Sequence, residues 1–161
     1  MLNDVIAITN RKLCQRDFLE QIKRVCEAEP KAIILREKDL NEKEYTKLAE
    51  QVYNITNIYN VRLIIHTYIN VAEELGIDTV HMSLLYFREY KEYMDDIADA
   101  NNTSVTPDKS ADVSTSSTPV RIDGSIYPAD ESEAVSHIML HKKIGCSIHS
   151  VEEAVEAQKL G

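Results

Sequence analysis

Four apolar residues in a row, Ala32 to Leu35, run straight into Arg36-Glu37-Lys38, and a helix-start signal follows at Asn41. A short unbroken apolar run of this kind predicts a strand buried on both faces, as in parallel sheets. Asn41 with Glu44 three residues on predicts a capping box. The same plan recurs along the chain. Val5 to Ile8 form a first strand ending at Thr9-Asn10-Arg11. Phe18, Leu19, Ile22, Val25 and Cys26 then fall at helical spacing, and Pro30 closes the unit. After the second strand, Tyr45, Leu48, Ala49, Val52 and Ile55 make one helical stripe. Val61 to Ile65 form a third strand that exits on His66-Thr67-Tyr68. A short helix over Asn70 to Leu75 stops at Gly76, placed as a C′ glycine. Asp78 to Met82 form a fourth strand ending at Ser83. Strand–helix alternation argues for a parallel sheet with helical crossovers.

The rhythm breaks at residue 84. Leu84 to Ala98 read as one helix rich in charge and tyrosine. Residues 99–119 hold long Ser/Thr-rich runs and few large apolar side chains, too little burial to offset the entropy of ordering them. A disordered loop is expected there, inside an insertion spanning 84–142. A short extended piece is expected within Val120 to Pro128, and a helix over Asp130 to His141. The alternation resumes with a fifth strand, Lys143 to Ile148, ending at His149, and a helix that Ser150 and Glu153 are spaced to cap.

The expected architecture is therefore α/β, a single domain over 1–161 with about five parallel strands and crossover helices. A closed (β/α)8 barrel takes about 250 residues. This chain is read either as an open five-stranded sheet or as an incomplete TIM barrel, the front part of eight units. In both, Asn10–Arg11, Arg36–Lys38, His66–Tyr68, Ser83 and Ser147–His149 are expected at the carboxyl edge of the strands, where α/β folds bind ligands. An open sheet edge invites pairing, so a second copy or a complementing chain is an expected partner.

Net charge is −9, which argues against nucleic acid and anionic membranes as partners. No apolar run is long enough to span a bilayer, and Met1 to Thr9 do not read as a signal peptide. Cys14, Cys26 and Cys146 share no metal-ligand spacing and read as reduced thiols, which predicts a cytoplasmic protein.

Four stretches together carry a family resemblance. They are Ile6-Ala-Ile-Thr-Asn10, Leu35-Arg-Glu-Lys-Asp-Leu40, Val71-Ala-Glu-Glu-Leu-Gly-Ile-Asp-Thr-Val-His-Met82 and Ile144-Gly-Cys-Ser-Ile-His-Ser-Val-Glu-Glu-Ala154. In them the chain resembles the thiamine-phosphate synthase/TenI family of small (β/α)8 barrels, over roughly its first five units. The resemblance implies a thiazole or thiamine phosphate as ligand. It implies that Arg36 and Lys38 bind its phosphate groups, with Ser147 beside them. It also implies that His149 stands where the TenI branch has the histidine of its thiazole tautomerisation. A histidine suits proton transfer near neutral pH.

Three departures narrow that expectation. The family's glutamine is Ile34 here. His66-Thr67-Tyr68 replaces Asn-Asp-Arg after the third strand, and Ser83-Leu84-Leu85-Tyr86 replaces Gly-Gln-x-Asp after the fourth. The two Mg²⁺ aspartates thus become Thr67 and Tyr86, neither of which replaces an anionic ligand for a hard cation. No metal and no cofactor is expected, nor synthase activity by this chain alone. A TenI-like tautomerase remains open beside a non-catalytic regulatory or decayed member lacking the phosphate cradle of the late strands.

Other candidates have plainer readings. His66 and His81 could join His149 as a metal set, but His81 lies inside the fourth strand and reads as a hydrogen-bonded histidine. His137 and His141 are four apart, a zinc spacing, and otherwise read as surface residues of a helix. Tyr86, Tyr90 and Tyr93 with Phe87 read as packing.

Overall fold

In the computed structural model, residues 4–102, 120–122, 125–127 and 142–160 are described. The chain falls into two compact units. The first comprises Met1–Met82 with Lys142–Ser147, the second Ser83–His141 with Ile148–Gly161.

The first unit is built on the apolar runs. Strands β1 (Ile6–Ile8), β2 (Ala32–Leu35), β3 (Arg62–His66), β4 (Thr79–Ser83) and β7 (Lys143–Ser147) form one sheet in the order β1-β2-β3-β4-β7. Sequence neighbours pair in parallel, with Ile34 opposite both Ile8 and Ile64 and His66 opposite His81. The five strands make an incomplete (β/α) barrel, one of the two forms that the alternation leaves open.

Helices α1 (Phe18–Glu27), α2 (Glu42–Ile58) and α3 (Ile69–Glu74) form the crossovers. All four residues of β2 are buried, because this strand has a neighbour on each edge and is covered on each face. Ala32, Ile34 and Ile64 make one buried cluster, while Ile33 and Leu35 point to the opposite face with no exposure. Burying an aliphatic side chain this fully contributes about 2 kcal/mol. β1 is different. Ile6 and Ile8 are 46% and 61% exposed, and its outer edge pairs with no strand among the described residues.

The capping signals of α2 and α3 act as spaced. Asn41 Oδ1 accepts the Glu44 N–H at 3.0 Å and the Glu44 carboxylate accepts the Asn41 N–H at 3.3 Å, closing the capping box of α2. Gly76 sits at φ +66, where a side chain would be strained. Its N–H donates to the Glu73 carbonyl, and the Ile77 N–H to that of Ala72, a Schellman end for α3. Asn10 caps a short 3₁₀ turn, Arg11–Leu13, where the sequence suggested only an exit loop.

Tyr45 ties α2 to the sheet. It is 1% exposed, donates to the Leu35 carbonyl at 2.5 Å and accepts the His66 N–H at 3.1 Å. The phenol thus joins the ends of β2 and β3, and burial pushes its pKa well up. Tyr45→Phe strands a buried N–H and a carbonyl. An expected cost of about 2 kcal/mol follows, checked by the shift of the urea midpoint.

In the second unit, α4 runs Leu84–Asn102, four residues past the end read from the sequence. β5 (Val120–Ile122) and β6 (Ser125–Tyr127) pair as an antiparallel hairpin where one short extended piece was expected. α5 spans Val151–Leu160, and Arg88 of α4 makes a two-pronged ion pair with Glu156 of α5. The first four residues of the loop expected over 99–119 are thus helical, while 103–119 and the helix expected over Asp130 to His141, with His137 and His141, lie outside the described residues. Among the described residues no helix is long and apolar enough to cross a membrane.

Candidate functional site

The carboxyl ends of β1, β2, β3 and β7 bring together Thr9 to Arg11, Arg36 to Asp39, His66 to Tyr68 and Ser147 in the first unit. Chain alternation sorts the charges after β2. Arg36 is half-buried and Lys38 exposed, while Glu37 between them turns inward and is 3% exposed.

Glu37 has a full set of donors. Its Oε1 accepts the Thr9 hydroxyl at 2.7 Å and the Arg11 N–H at 3.0 Å, and its Oε2 accepts the Arg11 guanidinium at 3.2 Å. The Arg36 N–H donates to Thr9 Oγ1 at 2.9 Å. Arg11 also forks onto Asp39 at 2.7 and 2.8 Å. Its hydrogen bonds, joined by those of Lys12, hold the Asp39 carboxyl at about 2. The loops after β1 and β2 are therefore one clamped assembly. Arg36 and Lys38 are left out of it. Neither cationic head has a hydrogen-bond or ion-pair partner among the described residues.

Beside them lies a line of polar side chains. His66, 7% exposed, puts Nδ1 at 3.1 Å from His81 Nδ1 and 3.0 Å from the His81 carbonyl oxygen. His81 Nε2 is 3.1 Å from Ser147 Oγ. Burial, then the neighbouring His81, and then the charges of Arg36 and Lys38 hold His66 down to about 4. Burial and the Arg36 charge lower His81 as well. The charges of Arg36 and Lys38 thus act on His66, and hydrogen-bond contacts run from His66 through His81 to Ser147. Thr67, between His66 and Tyr68, takes φ +72 and donates its N–H to the same His81 carbonyl at 2.9 Å.

His149 belongs to the second unit. It is exposed, and its N–H donates to Glu153 Oε2 at 2.6 Å. Ser150 Oγ accepts the Glu153 N–H at 3.2 Å, so only half of the predicted box forms as spaced, the carboxylate reaching back one residue further. Ser83, also in the second unit, accepts the Tyr86 N–H at 3.4 Å.

The rim does not suit the Mg²⁺ that the synthase resemblance implies. Thr67 offers a neutral hydroxyl, and both oxygens of Glu37 are engaged. Among the described residues no three His, Cys, Asp or Glu side chains converge. His66 and His81 are a pair joined by hydrogen bonds.

Sequence reasoning singled out Arg36, Lys38 and Ser147 but missed the inward turn of Glu37 and the phenol bridge of Tyr45. Thr9 and Arg11 hinted at the clamp, being donors at the exit of the adjacent strand.

The thiamine monophosphate synthase family model (TMP-TENI) matches residues 5–88, just over half of the chain and most of the rim described above. A protein of Aquifex aeolicus (strain VF5) described as putative thiamine-phosphate synthase 2 is 36% identical over 76 residues, covering 47% of this chain and 41% of the relative. The solved structure of a thiamine phosphate pyrophosphorylase from Pyrococcus furiosus matches with a TM-score of 0.57 at 18% identity. That match covers 97% of this chain and 55% of the other, a likeness of fold. The chain thus spans about half the length of these relatives. With matched family residues running through the first four strands, the chain belongs to the thiamine monophosphate synthase/TenI family.

Proposed function

We propose that the chain binds a thiazole or thiamine phosphate at the carboxyl rim of its sheet, with Arg36 and Lys38 on the phosphate and Ser147 beside them. The observation that carries this reading is the pair of cationic heads without a partner among the described residues, held beside a clamped carboxylate. Fixed cations stabilise phosphoryl oxygens without reorganising. After burial and His81, both charges also help to lower His66, which supports their standing near the rim.

The finer reading is a TenI-like proton transfer by His149, one residue beyond Ile148 from Ser147 in the chain. It is supported by that position and by the donor chemistry of Thr67, which disfavours a metal-assisted displacement. A non-catalytic binder of the same ligand is the second reading, favoured by the same donor set. Another copy or a complementing chain would cover the edge of β1 that pairs with no strand among the described residues. We place the protein in the cytoplasm, with free Cys14, Cys26 and Cys146.

Calorimetric titration with thiamine phosphate tests the binding. Arg36→Ala is expected to weaken it roughly 10- to 100-fold, the worth of a charge-assisted hydrogen bond, and Lys38→Ala somewhat less because it is more exposed. Absence of heat from the unaltered chain, or equal affinity in Arg36→Ala, rejects the site. Loss of thiazole-phosphate tautomerisation in His149→Ala separates the enzyme from the binder.

A further inference from the structure

Hydrogen-bond logic assigns a role to His66, which the family resemblance does not. The His81 carbonyl can only accept. His66 Nδ1 lies 3.0 Å from it, so that nitrogen carries a proton; two lone pairs at this distance would repel. The same Nδ1 lies 3.1 Å from His81 Nδ1. Two N–H groups cannot face each other there, so His81 Nδ1 is bare. Neutral His81 must then hold its proton on Nε2, which faces Ser147 Oγ at 3.1 Å. That N–H donates, and the serine oxygen accepts. The serine's own O–H is thereby left to donate elsewhere, and it has no other partner among the described residues.

We propose that His66 is a positioning residue that sets the tautomer of His81 and so makes Ser147 a hydrogen-bond donor to the bound ligand. The proposal rests on the phosphate reading above. Phosphate oxygens only accept, so the rim offers them two cations and one neutral O–H. The chain of protons also excludes Ser147 as a nucleophile activated by His81, because the nitrogen that would take its proton is already occupied. The Thr67 N–H, 2.9 Å from the same carbonyl, holds that oxygen in place for His66.

A long-range ¹H–¹⁵N correlation spectrum of the full ¹⁵N-labelled chain at neutral pH reads the tautomers directly. His66 is expected with a protonated Nδ1, and His81 with a protonated Nε2 and a bare Nδ1. Finding the His81 proton on Nδ1 overturns the proposal. His66→Asn keeps an N–H donor and should keep His81 in its Nε2–H form, whereas His66→Phe should let the Nδ1–H form appear. A His81 tautomer indifferent to both changes removes His66 from the role. Should the Phe variant not fold, the unaltered chain and the Asn variant still decide. For the ligand, Ser147→Ala is expected to weaken thiamine phosphate roughly fivefold by calorimetry, as for one neutral hydrogen bond. Unchanged affinity counts against Ser147 as donor. If the tautomers are as expected but thiamine phosphate gives no heat with the unaltered chain, the phosphate reading falls and the hydrogen-bond chain stands.

Discussion

Glu37→Ala is expected to destabilise the protein by about 3 kcal/mol, although the residue stands between two cations, Arg36 and Lys38, at the end of a strand. The carboxylate is 3% exposed and satisfies the Thr9 hydroxyl, the Arg11 N–H and one edge of the Arg11 guanidinium. Removing one partner of a buried charged cluster leaves donors unsatisfied, which typically costs 3–5 kcal/mol. The lower end applies because Arg11 is partly exposed and keeps its fork onto Asp39. Against a total stability of about 5–15 kcal/mol this is a large share. Urea unfolding of the full chain measures it. Glu37→Gln, which retains a carbonyl acceptor for Thr9, should recover part of the loss. A change under about 1 kcal/mol in Glu37→Ala would mean that the two loops are held by something else.

Acid is expected to weaken the fold by up to about 3 kcal/mol between pH 6.5 and pH 4, through His66. The folded ring is held at about 4, below its ordinary value of 6.5. In that window the unfolded chain binds a proton that the folded chain refuses, so stability falls as pH falls. The contribution is whole above pH 6.5 and gone below about pH 4. The size is the distance between the two values at about 1.4 kcal/mol per unit. His81, lowered by burial and Arg36, acts in the same direction. Asp39 works in a separate range, losing its contribution only as pH drops from 3.8 toward 2. Urea midpoints taken from pH 7 to pH 4.5 should therefore decline. His66→Asn should flatten most of that decline. A flat profile for the unaltered chain would show that the ring accepts its proton without strain on the fold.

The elements that were legible in the sequence are those set by local rules. Ala32 to Leu35 could be read as a buried strand because nothing polar interrupts it. Asn41 with Glu44 marked a helix start because both partners of the box lie within one turn, and Gly76 marked a helix end because it is where a positive φ is needed. Arg36 and Lys38 drew attention because they follow a strand end, and Ser147 because of the family resemblance. What the sequence hid depends on partners far along the chain. Glu37 meets Thr9 and Arg11, 28 and 26 residues back. Tyr45 looked like one more member of an apolar stripe, since spacing reports the ring and not where the hydroxyl ends. His66 and His81 face each other because β3 and β4 pair in that register, a fact that no single strand carries. Neighbouring-strand registers also decide which of three consecutive charged residues turns inward.

The flank of β1 that no described strand covers has a further consequence. Ile6 and Ile8 present oily side chains next to backbone amides that no described strand takes up. Such a flank is a template with little selectivity, ready to accept any extended segment of similar greasiness. Light scattering that rises with protein concentration is the expected sign of such pairing.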